Sequence, residues 1–485
     1  MSREVRTTVL IIGSGFSGIC LGIRLLEAGI DDFLILEKAA EAGGTWRENT
    51  YPGAECDVPS ALYSYSFEAN ARWRYKWAER DQIQEYLLGV ADRHKLGPHM
   101  VFGQRVAAGA FDPESGCWSV KTAGGQQYRA RFLVPAVGQL HHPRIPRIPG
   151  IDQFQGASFH SAQWDHGVDL AGKRVAVIGS AASAIQFIPQ IAGQVEHLAI
   201  FQRSPNWMLP KQDRPYYRWE HWLADRFKWW TRLHRLRLWL RAEFLFLPMI
   251  QGKPWARRLG HWMARRNLHG VIKDPELRRA LTPDYPIGAK RVLFSDDYYQ
   301  TLLRDNIELV TAGISSLNAG GIVRDDGVTQ SFDCIIYATG FITNPFLYQL
   351  DLRGKDDQSI RQAWDGGAHA YLGIMTHGFP NLFMMYGPNT NLGHNSMVLM
   401  FEAQAHYITR AIIETTRRGD SWLEVRPEAE QAYNEEIQQR LQGSVWTAVS
   451  NWYRDGDRIT NNWPGSTREY ARRTRRVNWD HLQAT

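Results

Sequence analysis

The chain has only four cysteines in 485 residues, Cys20, Cys56, Cys117 and Cys334, and none stands in a CxxC pair or at zinc-ligand spacing. That scarcity argues against a disulfide framework, predicts no metal site, and points to a reducing, cytoplasmic setting. Long apolar runs are also missing. No stretch approaches the ~20 residues a membrane helix needs, and the longest candidate, 244–250, is interrupted by Pro248. The N-terminal apolar run is too short for a signal h-region and flows into a glycine motif instead. There is no strong charge of either sign: 56 Lys+Arg stand against 50 Asp+Glu, formally +6. With 44% hydrophobic and 22% charged residues, wholesale disorder is excluded. The length predicts roughly two or three domains.

What is present begins at once. Residues 8–12 (TVLII) form a continuous apolar run, which reads as a buried strand of a parallel sheet. Gly13, Gly15 and Gly18 follow in a GxGxxG pattern, then an amphipathic stretch to Glu27 with a stop at Gly29, then a second strand over 33–36 and Glu37. This is a complete dinucleotide-binding unit. Gly13 permits the tight turn, Gly15 lets the backbone approach a pyrophosphate, and Gly18 lets helix and strand pack closely. The helix N-terminus presents free N–H groups to phosphate, and Glu37 is positioned to accept hydrogen bonds from ribose hydroxyls. A second glycine pair follows in Gly43-Gly44-Thr45-Trp46, which favours FAD over NAD as the occupant.

A second unit starts at residues 174–178 (RVAVI), followed by Gly179, Ser180, Ala181, Ser183 and Ala184, a helix through 191, and a strand over 197–201. Alanine stands where the second and third glycines belong, still small enough to allow backbone approach. The position equivalent to Glu37 is Arg203. A cation there suits a 2′-phosphate, so the second site is expected to prefer NADPH to NADH. FAD followed by NADPH defines a flavin-dependent oxidoreductase.

Between the units lies a proline-rich crossing, 142–150, which acts as a stiff linker. It leads into Phe154-x-Gly156-x-x-x-His160-x-x-x-Trp164-Asp165. This string resembles the signature of the type I Baeyer–Villiger monooxygenases, within the flavin-containing monooxygenase group. The resemblance covers nearly the whole chain. It includes both glycine motifs, 51–57 (YPGAECD), 201–205 (FQRSP), Ala289-Lys290-Arg291 and Ala338-Thr339-Gly340.

The resemblance implies an α/β fold with two Rossmann-like dinucleotide-binding domains and a helical insertion in the NADPH domain. The expected organisation is 1–141 as the first part of the FAD domain, 142–344 as the NADPH domain with its insertion at about 216–285, and 345–485 as the second FAD part with a C-terminal cover over the active site. Two active-site residues carry over, Arg291 and Asp57. The arginine would stabilise negative charge beside the flavin, and Asp57 would hold and tune it. Phe154, Gly156, His160 and Trp164 fall on the hinge between the domains, where His160 and Trp164 act by positioning rather than proton transfer. Flavin contacts are expected from Gly13, Gly15, Phe16, Gly18, Glu37, Lys38, Gly44, Thr45, Trp46, Asp57, Tyr63 and Val106. NADPH contacts are expected from Gly179, Ser180, Ala181, Ser183, Gln186, Arg203, Ser204, Lys290 and Arg291. The implied reaction uses NADPH and dioxygen, through a flavin peroxide, to insert oxygen beside a ketone carbonyl, giving an ester or lactone. Sulfides are secondary substrates. One alternative is an N- or S-oxygenating flavin monooxygenase. Another, suggested by Ala181 and Ala184, is a non-catalytic flavin-binding protein.

The charge is unevenly spread. Residues 218–266 hold twelve Lys+Arg, three Asp+Glu and seven tryptophans. Trp219, Leu223, Phe227, Trp230 and Leu233 fall at helical spacing, while 235–240 (RLRLWL) alternate as a strand would. The expectation is a helical insertion with its aromatic face packed on the catalytic domains and its arginines in water. Weak membrane-surface contact through 216–270 is the alternative. Met384, Met385, Met397 and Met400 are candidate pocket residues. Nothing resembles a nucleic-acid reading module, and the expected oligomeric state is monomer or homodimer.

Overall fold

The computed structural model of the protein describes residues 4–70, 72–449 and 451–485. Strand β1 (Val5–Ile12), helix α1 (Phe16–Glu27) and strand β2 (Phe33–Leu36) form where the apolar patterning puts them. Residues 9–12 are all buried, so a period-2 alternation would have left polar groups in the core. The α1–β1 contact depends on glycine. A Cβ on Gly18 would lie 1.9 Å from the carbonyl oxygen of Gly13, and Gly13 itself has φ +105°.

β1 sits inside a seven-stranded sheet. Its order is Asp351–Arg353, Val106–Asp112, Cys117–Thr122, Gln127–Pro135, β1, β2, Met100–Val101. β1 pairs in parallel with both neighbours, while the Cys117–Thr122 strand is antiparallel to both of its own. Strand Asp351–Arg353 comes from the far side of the second sheet in sequence, yet pairs with Val106–Asp112. The chain therefore leaves this sheet and returns to it.

The second sheet has five strands, all parallel, in the order Ile307–Val310, His197–Phe201, Arg174–Ile178, Cys334–Tyr337, Ala157–His160. Helix Ala182–Ile191 follows the Arg174–Ile178 strand, completing the second Rossmann-like unit. Two linkers cross between the sheets and bind each other. Arg144 N–H donates to Gly340 O at 2.9 Å, and Ile342 N–H donates to His142 O at 2.9 Å.

The insertion is a series of helices joined by short breaks, and 235–240 lie inside helix Lys228–Arg241. Its orientation differs from the expected one in two ways. The presumed continuous helix breaks at Phe227, between Arg218–Arg226 and Lys228–Arg241. More importantly, most of the tryptophans are not packed inward: Trp219, Trp222, Trp229, Trp255 and Trp262 are exposed. The inward side carries Arg235, Trp239 and Glu243 instead. Arg235 donates to the carbonyls of Ala61 (2.9 Å) and Ser64 (2.8 Å), and Trp239 Nε1 to Thr467 Oγ1 (2.9 Å). Buried backbone carbonyls on the docking surface require donors, so they select the polar side of the helix. Among the described residues, no helix is long and apolar enough to cross a membrane.

Candidate active site

The first glycine turn opens onto a cavity of ≈ 380 Å³. Of the expected flavin contacts, Gly13, Gly15, Phe16, Glu37, Lys38, Gly44, Thr45, Trp46, Asp57, Tyr63 and Val106 all line it. Gly18 does not, because its role is the helix–strand contact. The two glycine loops meet face to face: a Cβ on Gly44 would stand 3.1 Å from Gly15 Cα. Among the described residues no side chain projects between them, which leaves bare backbone N–H groups and space for a phosphate chain. Glu37 is buried and already oriented, accepting from Ser14 N (3.0 Å), Ser14 Oγ (2.8 Å) and Ala39 N (3.0 Å). The residues present therefore fit an adenine dinucleotide. Trp46 donates from Nε1 to Tyr63 Oη at 3.1 Å, and burial drives the Tyr63 phenol well above its ordinary pKa. Met384, Met385 and Met397 also line the cavity, whereas Met400 is buried in the core.

Asp57 and Arg291 are 234 positions apart and meet in a two-pronged ion pair, with Nε–Oδ2 at 2.5 Å and Nη2–Oδ1 at 2.8 Å. The Asp57 charge raises the guanidinium pKa further above its already high value, against the effect of burial. Arg291 keeps 39% of its side-chain surface accessible, and that surface is internal, because the residue lines two adjoining cavities. The second cavity, of ≈ 100 Å³, is mostly apolar, walled by Leu62, Leu238, Phe246, Met249, Ile250 and Phe294 among others, with Asp57 and Tyr453 beside Arg291. Burial pushes the Tyr453 phenol up to about 12.

The expected NADPH residues separate into two groups. Ser183, Gln186 and Arg291 border the main cavity. Gln186 spans the two units, accepting from Tyr51 Oη at 2.8 Å and donating to Glu55 O at 3.0 Å. Gly179, Ser180 and Ala181 form the second turn, ahead of helix Ala182–Ile191. Lys290 Nζ donates to Ser204 Oγ at 2.9 Å. Its pKa is lowered, mainly by burial and then by the nearby Arg203 cation. Among the described residues neither Arg203 nor Lys290 makes an ion pair. Asp284 is near enough to act on Lys290 but forms no ion pair with it, so two cations and a hydroxyl converge with their charge uncompensated by a bound carboxylate, which suits a phosphate.

The signature string also has a physical reading. A Cβ on Gly156 would lie 2.5 Å from both Asp333 O and the Phe154 ring, so the Phe–Gly pair is a steric unit. Trp164 packs between Phe159 and Phe187 at 5.1 and 5.2 Å, on the helix of the second turn. His160 ends its strand beside Tyr337 and stands 5.9 Å from Phe341 on the return linker. Burial lowers its pKa to about 4, partly offset by the Gly340 backbone. A neutral imidazole therefore lies against the paired linkers.

The flavin-binding monooxygenase-like family profile matches residues 6–360. A Baeyer–Villiger monooxygenase of Pseudomonas aeruginosa is 42% identical over 488 residues, covering 98% of this chain and 92% of that one. The chain belongs to the flavin-binding monooxygenase-like family, among its Baeyer–Villiger monooxygenases. Two solved structures have the same architecture. An oxidised steroid monooxygenase bound to NADP gives a TM-score of 0.89 at 31% identity, covering 99% of both chains. A closed cyclohexanone monooxygenase gives 0.89 at 30% identity, covering 100% of both.

This monooxygenase has one set of cavity residues that carried no local sequence signal. Gln139 donates to Tyr386 O at 3.1 Å and accepts from Asn461 Nδ2 at 2.7 Å, while Asn391 links Tyr386 Oη (2.7 Å) to Asn462 Oδ1 (2.7 Å). These amides fasten the C-terminal segment to the cavity wall. Single Asn and Gln residues separated by up to 322 positions have no spacing that marks them.

Proposed function

We propose that Arg291, oriented by Asp57, is the catalytic electrostatic group of an NADPH- and FAD-dependent Baeyer–Villiger monooxygenase. The reaction class follows from family membership. The enzyme is an oxidoreductase that inserts one atom of dioxygen beside a ketone carbonyl to give an ester or lactone, and its secondary substrates are sulfides. The observation that carries the residue assignment is the two-pronged Asp57–Arg291 pair standing where the two cavities meet.

FAD, when bound, supplies the electrons that activate dioxygen. Gly13, Gly15, Gly44 and Thr45 would hold its phosphates, Glu37 its ribose, and Tyr63 with Trp46 its ring end. Gly179, Ala181, Arg203, Ser204 and Lys290 would hold NADPH. Asp57 occupies Nε and Nη2 of Arg291, and Nη1 makes no hydrogen bond to the described residues. That nitrogen is free for the oxygen of a substrate carbonyl. As the carbonyl carbon is attacked, negative charge grows on its oxygen, and a permanently charged guanidinium stabilises it. The apolar wall of the second cavity suits a lipophilic ketone. The signature residues Phe154, Gly156, His160 and Trp164 position the two units about the paired linkers.

The same reading assigns 1–141 and 345–485 to the FAD domain and 142–344 to the NADPH domain, consistent with the strand at Asp351–Arg353 rejoining the first sheet. It takes the protein as a cytoplasmic monomer or homodimer, with weak membrane-surface contact through 216–270 and no nucleic-acid partner. The test of the function is product analysis by gas chromatography on cyclic, linear and aryl ketones alongside a tertiary amine, with NADPH supplied. Esters or lactones from at least one ketone are expected. Amine oxide with no ester from any ketone would reassign the enzyme to N-oxygenation.

A further inference from the structure

We propose that the outward face of residues 217–244 docks the enzyme onto an anionic lipid bilayer. This deepens the membrane contact suggested above and rests on that reading only for its purpose, the capture of a lipophilic ketone.

The face has three properties that together define its occupant. First, it is aromatic and continuous. Tyr217, Trp219, Trp230, Trp229, Phe227 and Trp222 form an unbroken chain of ring contacts, with successive centroids 6.0–6.4 Å apart. Second, the chain of rings runs into an apolar stripe. Trp229, Leu233, Leu236 and Leu240 are spaced by four, three and four residues, so they share one side of helix Lys228–Arg241, and Phe244 follows in the π-helical turn Ala242–Phe246; all are exposed, Trp229 by 56% and Phe244 by 67%. The opposite side is the one that docks, through Arg235 and Trp239. A helix whose apolar stripe faces solvent has its polarity reversed relative to a core-packed one, and it lacks a partner.

Third, the rim is cationic and uncompensated. Arg226, Lys228, Arg232 and Arg237 are exposed, and among the described residues none of them makes an ion pair. The acids of the segment are engaged elsewhere. Glu220 accepts from Lys76 and Arg214, Glu243 accepts from Asn395 and Thr467, and Asp225 faces Arg72. Tryptophan and leucine flanked by Arg and Lys is the composition of an interfacial membrane helix. A second copy of the chain is a poor occupant, because a two-fold contact would set the same cations against one another. The inner side of the same segment supplies Leu238, Ala242 and Phe246 to the cavity beside Arg291. A ketone dissolved in lipid would therefore meet the enzyme at the wall of its own cavity.

The test is co-sedimentation of FAD-loaded enzyme with phosphatidylcholine–phosphatidylglycerol vesicles and with pure phosphatidylcholine vesicles. No turnover is needed, so a failure of docking is distinguishable from a failure of the Baeyer–Villiger reading. The enzyme is expected to pellet with the anionic vesicles and far less with the neutral ones. Combining Trp222→Ser, Trp229→Ser and Phe244→Ser should abolish pelleting while flavin content stays at the wild-type level. A second variant, Arg226→Gln with Arg232→Gln, changes no apolar residue and should weaken partitioning on the order of 30-fold. The proposal is overturned if the wild type does not pellet with anionic vesicles or if neither variant reduces pelleting. It is also overturned if sedimentation velocity reveals a dimer in free solution that the triple variant dissolves.

Discussion

Lys290 and Arg291 are adjacent in sequence and answer to different partners. Lys290 turns toward Ser204 and Arg203, and Arg291 toward Asp57. A lone basic pair in a loop would read as surface charge. Here it divides between a phosphate-type site and a carboxylate clamp at a cavity. The phosphate-type half predicts a difference between two cofactors. Arg203→Ala removes a charged donor that only the 2′-phosphate needs. The KM for NADPH should rise roughly 10- to 100-fold, the equivalent of one charge-assisted hydrogen bond, with little change for NADH. Steady-state kinetics with each nucleotide checks this, and equal rises for both would remove Arg203 from the site.

At the scale of elements, the strands and the glycine turns were legible in the sequence because their constraints are local. The run 9–12 must be apolar throughout, and Gly18 must lack a Cβ. The signature string was legible for a similar reason, since Gly156 and Phe154 are fixed by mutual contact. The insertion was not legible in orientation. Helical spacing gives the period of the tryptophans but not which side of the helix meets the body. That choice is made by the carbonyls of Ala61 and Ser64 and the hydroxyl of Thr467, which lie far away in sequence and recruit Arg235 and Trp239. Two arginines on this one helix should therefore behave differently. Arg235→Ala leaves the buried Ser64 carbonyl without a donor and takes one of two from Ala61, and should lower unfolding stability by about 2 kcal/mol, whereas exposed Arg232→Ala should stay within roughly 0.5 kcal/mol of wild type. Urea denaturation of the two variants measures the difference, and equal midpoints would contradict the docking geometry.

The whole molecule is built on two Rossmann-like units, one with a mixed sheet and one all parallel, joined by two linkers that hydrogen-bond to each other, with the main cavity lined from both. Its two nucleotide turns could be read from the chain because each strand–turn–helix unit is contiguous, at 5–27 and 174–191. The closure of the site could not, because it is assembled from distant pieces. Asp57 lies 234 residues from Arg291, and Gln139 lies 322 from Asn461. Order along the chain pointed to the ion pair, while the amide contacts had no sequence pattern to reveal them. The account rests on Arg291 acting in oxygen insertion and not in electron delivery. The decisive measurement is Arg291→Ala at saturating NADPH, with anaerobic bleaching of bound FAD followed by stopped flow and ester formation from a ketone quantified in air. The account predicts bleaching close to the wild-type rate and ester formation lowered on the order of 10²- to 10³-fold. Wild-type ester formation, or a flavin that NADPH no longer bleaches, would contradict it.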